Sequence, residues 1–230
     1  MVKSGSTVSL KMQQGNCNPT GGGAKVKQYC FSTAYLAPVE YYILLSDADK
    51  ILLEQHDFFV KQTYRNRCTI ATANGVMDLI IPVEKSASNK TLIKDIRISD
   101  HGNWKINHWK AILSAYQSSP FFEYYADDLV YCYEKQWNFL WDFNIALQEK
   151  MLMLLDIHPE INLTDKYQAD YHNEYIDLRE AIHPKKENVI TDLHSYYQVF
   201  SQKFGFQKNL SIIDLLFNMG NESILILKDC

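Results

Sequence analysis

Short apolar runs follow one another between residues 28 and 99. The segment QYCFSTAYL (28–36) alternates and is rich in aromatic residues, which is typical of a strand. Pro38 suits the first turn of the short helix expected in VEYYILLSDA (39–48), and KILLE (50–54) is a second apolar run of strand length. A strand, a helix and a strand in this order predict a parallel pair of strands.

Two β-rich runs then flank Asn74-Gly75 in RCTIATANGVMDLIIPVE (67–84). Because both central residues tolerate positive φ, this pattern predicts a β-hairpin. IKDIRIS (93–99) has the composition of a further strand.

Farther along the chain, apolar residues recur at spacings of three and four, which is typical of amphipathic helices. A first helix begins after Asn103, a second begins near Phe121, and a third covers 138–155. A last helix lies between Ser211, which resembles the start of a capping box, and Gly220.

The polar segment 158–195 predicts one short strand and surface loops. Residues 1–27 mix Ser, Gln, Asn, Lys and Gly, so we interpret them as a disordered tail and expect 28–230 to form a single domain. The predicted fold class is α/β: an N-terminal mixed sheet with the strand-helix-strand unit and the hairpin, followed by a mainly helical C-terminal half.

The amino-acid composition excludes some classes of partner and location but does not indicate a specific function. The 230 residues carry a net charge of -4, which argues against nucleic acid or an anionic membrane surface as a partner attracted by overall charge. No apolar run approaches the roughly 20 residues of a membrane span, and no secretory leader is visible, so we expect a cytoplasmic protein. The five cysteines form no Cys-x-x-Cys pair, which argues against a disulfide framework or a structural zinc site.

The densest polar segment is EQHDFFVKQTYRNRC (54–68), which places Lys61, Arg65 and Arg67 within seven residues. Arginine forks bind phosphates and carboxylates, and ligands of open α/β sheets bind beyond the carboxyl ends of strands, where this loop begins. The alternative is a solvated loop whose cations pair with nearby acids.

Candidates for other chemistry are few. His108 is the best-placed general base, although a histidine on an aromatic helix face is also typical of a core position. Asp47 and Asp49 suit a turn better than a metal site, and no metal ligands are predicted. The run Gly21 to Lys25 lacks the strand and helix of a phosphate-binding loop. Nucleophile-elbow and dinucleotide-binding motifs are absent from the sequence, and no cofactor is indicated.

Several strings in order resemble the WbqC-like family of bacterial surface-polysaccharide gene clusters. They are FSTAYLAPVEYY (31–42), KQTYRNRC (61–68), LIIPVEK (79–85), NWKINHWKAILSAYQSSPFFEYY (103–125) and FNMG (217–220). The resemblance implies a role in O-antigen or related glycan assembly, with glycine or other acyl-type transfer to activated sugars. Ser32 and Thr33 depart from the Gln-Pro of the family's opening pattern. The opening unit also resembles, more loosely, the nucleotide-binding unit of cytidylyltransferases.

The first hypothesis is therefore a transferase that modifies a nucleotide-linked sugar, an anionic small molecule. The predicted binding residues are Lys61, Arg65 and Arg67 for the anionic group, Asn66 to orient it and Tyr35 to line the pocket. His108 would accept a proton from the attacking sugar amine or hydroxyl. Two alternatives stay open: a non-catalytic scaffolding protein that uses the aromatic run 121–125, and nucleic-acid binding through the loop 61–67. The sequence does not define an oligomeric state.

Overall fold

The computed structural model describes residues 26–85, 90–171 and 174–229. Its strands are β1 (Gln28–Ser32), β2 (Lys50–Glu54), β3 (Arg67–Thr72), β4 (Gly75–Ile80), β5 (Ile161–Leu163) and β6 (Ile176–Asp177). Its α-helices are α1 (Val39–Ser46), α2 (Trp104–Tyr116), α3 (Phe122–Glu134), α4 (Leu140–Leu154), α5 (Ser201–Phe204), α6 (Ile212–Met219) and α7 (Ser223–Lys228). The α/β class is confirmed, with the helices mostly in the C-terminal half.

A parallel sheet in the order β5-β2-β1-β6 forms the base of the fold. The predicted strand-helix-strand unit is confirmed, because β1 and β2 pair in parallel from Gln28 with Lys50 to Ser32 with Glu54. Helix α1 connects them and is buried from Val39 to Leu45, since it packs on helices α6 and α7 and contacts β1 through Tyr41. This burial on several sides explains why its sequence is apolar, apart from Glu40, rather than amphipathic.

The predicted hairpin is also confirmed. Strands β3 and β4 pair antiparallel, with Thr72 opposite Gly75 at the turn. Gly75 has φ +110°, a conformation that side-chain-bearing residues rarely adopt.

The prediction of a strand in IKDIRIS is wrong. Residues Ile93–Asp95 form one turn of 3-10 helix, and the rest makes only isolated bridges. The backbone of this segment is instead bonded to the start of α4: Leu140 donates to the Ile96 carbonyl at 2.9 Å and Ile98 donates to Asn138 at 3.0 Å. Its buried isoleucines therefore anchor a helix, and no sheet edge is needed to explain them.

The segment 158–195 contributes more structure than the single strand predicted for it. Strand β5 pairs with β2 and strand β6 pairs with β1, both in parallel, so this segment closes both edges of the sheet. At three and two residues, these strands are too short to leave a periodic pattern in the sequence.

Helix α6 begins and ends at the predicted residues, but its start differs in detail. The Ser211 hydroxyl donates to the Leu36 carbonyl at 2.8 Å instead of capping the helix. Gly220 ends the helix at φ +56°, and a Cβ there would lie 2.6 Å from the Phe121 ring, so only glycine fits.

The predicted tail lies almost entirely outside the described residues, as does the glycine run 21–23, so the domain boundaries stay a prediction. Lys27 is described: its ammonium group bonds the Asp47 carboxylate at 2.6 Å and its amide donates to Asp49 at 2.7 Å. These two aspartates therefore hold the chain at the start of β1. No helix in the described ranges is both long and apolar enough to cross a membrane.

Candidate functional site

Charged side chains gather where the parallel strands end. Strand β1 ends at Ser32, β2 at Glu54 and β6 at Asp177. Because parallel strands present their carboxyl ends at one edge, the segments that follow them meet there. Arg65 and Arg179 reach this edge from two such segments.

An ion pair between Glu54 and Arg179 forms the inner part of the edge. Arg179 Nη1 donates to Glu54 Oε2 at 3.1 Å, and the two side chains are 5% and 0% exposed, respectively. The second Glu54 oxygen accepts bonds from the His56 amide at 2.7 Å and the Thr164 hydroxyl at 2.8 Å. Both carboxylate oxygens are thus bonded, as a buried charge requires.

The remaining donors of Arg179 are also used. Nε and Nη2 bind the two oxygens of Asp177 at 3.0 and 2.6 Å, and the guanidinium lies 5.2 Å from the ring centres of Tyr167 and Tyr171. All three nitrogens have partners, so Arg179 links the end of β2 to the end of β6.

Arg65 is bonded differently. Its side chain is only 3% exposed, and a single nitrogen, Nη2, contacts Asp57 Oδ2 at 2.8 Å, Glu180 Oε1 at 2.9 Å and Ser32 Oγ at 2.9 Å. Its Nε is buried without a hydrogen-bond partner. An unsatisfied buried donor costs about 1–3 kcal/mol, so this guanidinium has unused binding capacity.

A cavity of about 20 Å³ adjoins Arg65, with room for about one oxygen atom or water. Thr33 and Arg65 both line it, and the Thr33 hydroxyl is also buried without a partner. Leu178, Arg179 and Ile182 cover it from the segment after β6. Two residues that each carry an unsatisfied buried group therefore line one small cavity beyond the end of β1.

Further cations lie on the two segments that carry Arg65 and Arg179. Lys185 Nζ contacts Gln62 Oε1 at 2.5 Å, which joins the segment after β6 to the loop after β2. Lys186 Nζ contacts the Glu180 carbonyl at 2.6 Å within the segment after β6. Burial lowers the pKa of His183; Glu180 opposes this shift, whereas the positive charges of the two lysines add to it. Lys61 is exposed on the same loop.

Tyr35 and His108 lie together in a buried aromatic cluster. The Tyr35 hydroxyl is 3.0 Å from His108 Nδ1 and 2.7 Å from the Tyr133 hydroxyl. The histidine ring also bonds the Ile80 backbone. Burial lowers the pKa of His108 to about 4, and the Ile80 bond only partly opposes that shift, so the ring is neutral at pH 7.

The structure separates the other residues predicted for the site. Arg67 pairs with Asp78 on the hairpin at 3.2 Å, so the guanidinium groups of Arg65 and Arg67 bind carboxylates on different elements. Arg67 Nε is unpartnered as well, but neither Arg67 nor His108 is among the residues that line the Arg65 cavity. Asn66 donates its side-chain amide to the Ile81 carbonyl at 2.9 Å, which fixes the loop backbone.

A second, larger concavity of about 540 Å³ lies between α2 and α3. Its walls include Trp104, Trp109 and Tyr133, and its rim carries lysines and acids in equal number. Trp104 and Tyr133 are themselves buried in the core, at 6% and 5% exposure. The groove therefore offers apolar contact but no uncompensated charge.

Sequence reasoning missed Thr33, Arg179 and Glu180. Arg179 and Glu180 fall in the polar segment interpreted as surface loop, and Thr33 was noted only as a departure from a family pattern. The position of Thr33 directly after the first strand is a signal that could have indicated it.

Comparison with known proteins gives the family. A sequence model of the WbqC-like protein family matches residues 33–188, and the chain belongs to this family. A relative in Mycobacterium tuberculosis (strain ATCC 25618 / H37Rv), the uncharacterized protein Rv1507c, is 26% identical over 214 residues, which cover 83% of this chain and 92% of the relative. No solved structure matches the chain.

Proposed function

We propose that this protein is a transferase that binds a nucleotide-linked sugar at the carboxyl edge of its parallel sheet and modifies it by acyl-type transfer, in O-antigen or surface-polysaccharide biosynthesis. The observation that carries the proposal is that Arg65, whose buried Nε has no partner, and Thr33, whose buried hydroxyl has none, line the same cavity. A guanidinium N–H and a hydroxyl can both donate hydrogen bonds to an oxygen of an acidic ligand.

The loops around the cavity support an anionic substrate. Lys61, Lys185 and Lys186 come from the two segments that flank Arg65 and would attract phosphate groups. These exposed side chains act mainly on encounter and orientation, whereas Arg65, with its low exposure, supplies the specific contact.

The loop after β1 connects the cavity with the predicted proton acceptor. It carries Thr33 at the cavity and, two residues later, Tyr35, whose hydroxyl bonds His108. The Tyr35 amide also donates to the Tyr64 carbonyl at 2.8 Å, so this loop and the Arg65 loop are held together. In the proposed reaction the attacking sugar amine or hydroxyl forms the new bond to the acyl carbon, the acyl group's leaving group departs, and the proton passes to neutral His108 through Tyr35.

Binding is the first test. Thermal unfolding of the wild type is measured with a panel of nucleotide sugars, alongside Arg65→Lys and the matched control Arg67→Lys. Both arginines carry an ion pair and an unpartnered Nε, but only Arg65 lines the cavity. We expect a ligand-induced rise in Tm that Arg65→Lys abolishes and Arg67→Lys retains. No shift with any nucleotide sugar, or equal loss in both variants, would contradict the proposal.

A non-catalytic scaffolding role in the same pathway is the second candidate. Tyr124 and Tyr131, seven residues apart on α3, are 76% and 65% exposed, as partner-contacting aromatics would be. Phe122, from the predicted run 121–125, is instead buried. If His108→Gln supports glycan assembly in cells as well as the wild type while Tyr124→Ser with Tyr131→Ser does not, the scaffold is favoured.

A further inference from the structure

The carboxylate of Glu180 lies on Arg65 in a way that uses only part of the guanidinium. One oxygen, Oε1, contacts Nη2 at 2.9 Å, while Nε stays unpartnered. In arginine the Nε–H and one Nη2–H point the same way and form a fork that fits the two oxygens of a carboxylate. Glu180 therefore contacts one of the two nitrogens that form this fork.

Three acceptors compete for the same nitrogen. Nη2 has two hydrogens, yet Asp57, Glu180 and Ser32 all lie within 2.9 Å of it. Glu180 is 54% exposed, whereas Asp57 is 17% exposed. Because exposed ion pairs contribute little, Glu180 is the contact that can leave at least cost.

The segment that carries Glu180 is anchored beneath it. Arg179 is held by Glu54 and Asp177, and the Leu178 amide donates to the Cys30 carbonyl at 2.8 Å. The Glu180 side chain can therefore swing away from Arg65 without release of the backbone around it.

We infer that Glu180 is an internal occupant of the ligand site and that the substrate presents a carboxylate which displaces it from Arg65. This inference rests on the anion site proposed above. The incoming carboxylate takes Nε–H and Nη2–H together, and the Thr33 hydroxyl bonds the oxygen that enters the cavity. The cavity, at about 20 Å³, has room for about one oxygen, which favours a planar carboxylate over a phosphate group.

The test compares small anions instead of the unidentified substrate. Acetate and inorganic phosphate are titrated by NMR into the wild type, Glu180→Gln and the control Glu187→Gln, which removes an exposed acid from the same segment. Loss of the competing exposed carboxylate is expected to tighten acetate binding roughly two- to fivefold in Glu180→Gln only. Arg65→Lys should abolish acetate binding in either background.

The possible outcomes separate this inference from the proposed function. Tighter acetate binding in Glu180→Gln supports the inference even if no nucleotide sugar binds. Nucleotide-sugar binding by the wild type with unchanged acetate affinity in Glu180→Gln overturns the inference and leaves the proposed function standing. Tightening for phosphate but not acetate, equal tightening in Glu187→Gln, or no anion binding by any protein also overturns it.

Discussion

The single substitutions His108→Gln and Asp214→Asn are expected to change the pH dependence of the free energy of unfolding in opposite directions. Burial lowers the pKa of His108 from 6.5 to about 4, with partial opposition from the bond to the Ile80 backbone. Burial raises the pKa of Asp214 from 3.8 to about 6, although hydrogen bonds from Tyr196 and Gln198 at 2.8 and 2.9 Å oppose the rise.

The signs follow from where each state binds its proton. Below pH 6.5 the unfolded chain protonates His108 while the folded chain does not until about pH 4, so stability is lost as the pH falls through this window. For Asp214 the folded chain binds the proton first, below about pH 6, so stability is gained as the pH falls toward 3.8. At about 1.4 kcal/mol per pKa unit, each residue changes the free energy of unfolding by about 3 kcal/mol. In the wild type the two changes have opposite signs and nearly cancel.

Urea unfolding between pH 4 and 7.5 measures the effect as a difference from the wild type at each pH. As the pH falls, His108→Gln should gain stability relative to the wild type, because only the stabilising protonation of Asp214 remains. Asp214→Asn should lose stability relative to the wild type, because only the destabilising protonation of His108 remains. Lost hydrogen bonds shift the level of each curve but not its slope. Parallel difference curves for the two buried positions would refute the reasoning.

Three further changes test the packing around the site, each by chemical denaturation. Arg179→Met should cost about 3–5 kcal/mol because it leaves Glu54 buried without its counter-charge, and addition of Glu54→Gln should recover part of the loss; no recovery would contradict the ion-pair account. Gly220→Ala should cost about 1–3 kcal/mol, since its Cβ would meet the Phe121 ring. The cost should be smaller in a Phe121→Ala background, where the ring is absent. Tyr35→Phe should cost about 1–3 kcal/mol by leaving the buried partners of its hydroxyl unsatisfied; a neutral effect would argue against that network.

Local signals were sufficient for the first part of the fold. The order of strand, helix and strand predicted a parallel unit, and Asn74-Gly75 predicted the hairpin, because both depend on residues adjacent in the sequence. Strand β6 could not be predicted, since two residues carry no periodicity and their pairing is imposed by β1. IKDIRIS has strand composition, but its backbone bonds the start of α4, a tertiary contact that overrides propensity.

The candidate site was likewise only partly predictable from the sequence. The cluster of cations after β2 indicated Arg65 as a candidate, but its contacts with Ser32, Asp57 and Glu180 lie 33, 8 and 115 residues away in the sequence. Arg67 looked equivalent because it is two residues from Arg65, yet it begins β3 and pairs across the hairpin with Asp78. Spacing along a chain cannot reveal which donors of a buried arginine already have partners.

That distinction separates Arg65, the arginine proposed to bind a ligand, from Arg179. Every nitrogen of Arg179 is bonded, so a change there should alter stability and affect ligand affinity only indirectly. Arg65 combines an unpartnered Nε with a cavity and an exposed, replaceable carboxylate. Unpartnered atoms occur elsewhere in the described chain, including Arg67 Nε, so an unsatisfied donor alone is not enough. The anion site proposed for Arg65 is supported by the combination of these three features at the carboxyl ends of parallel strands.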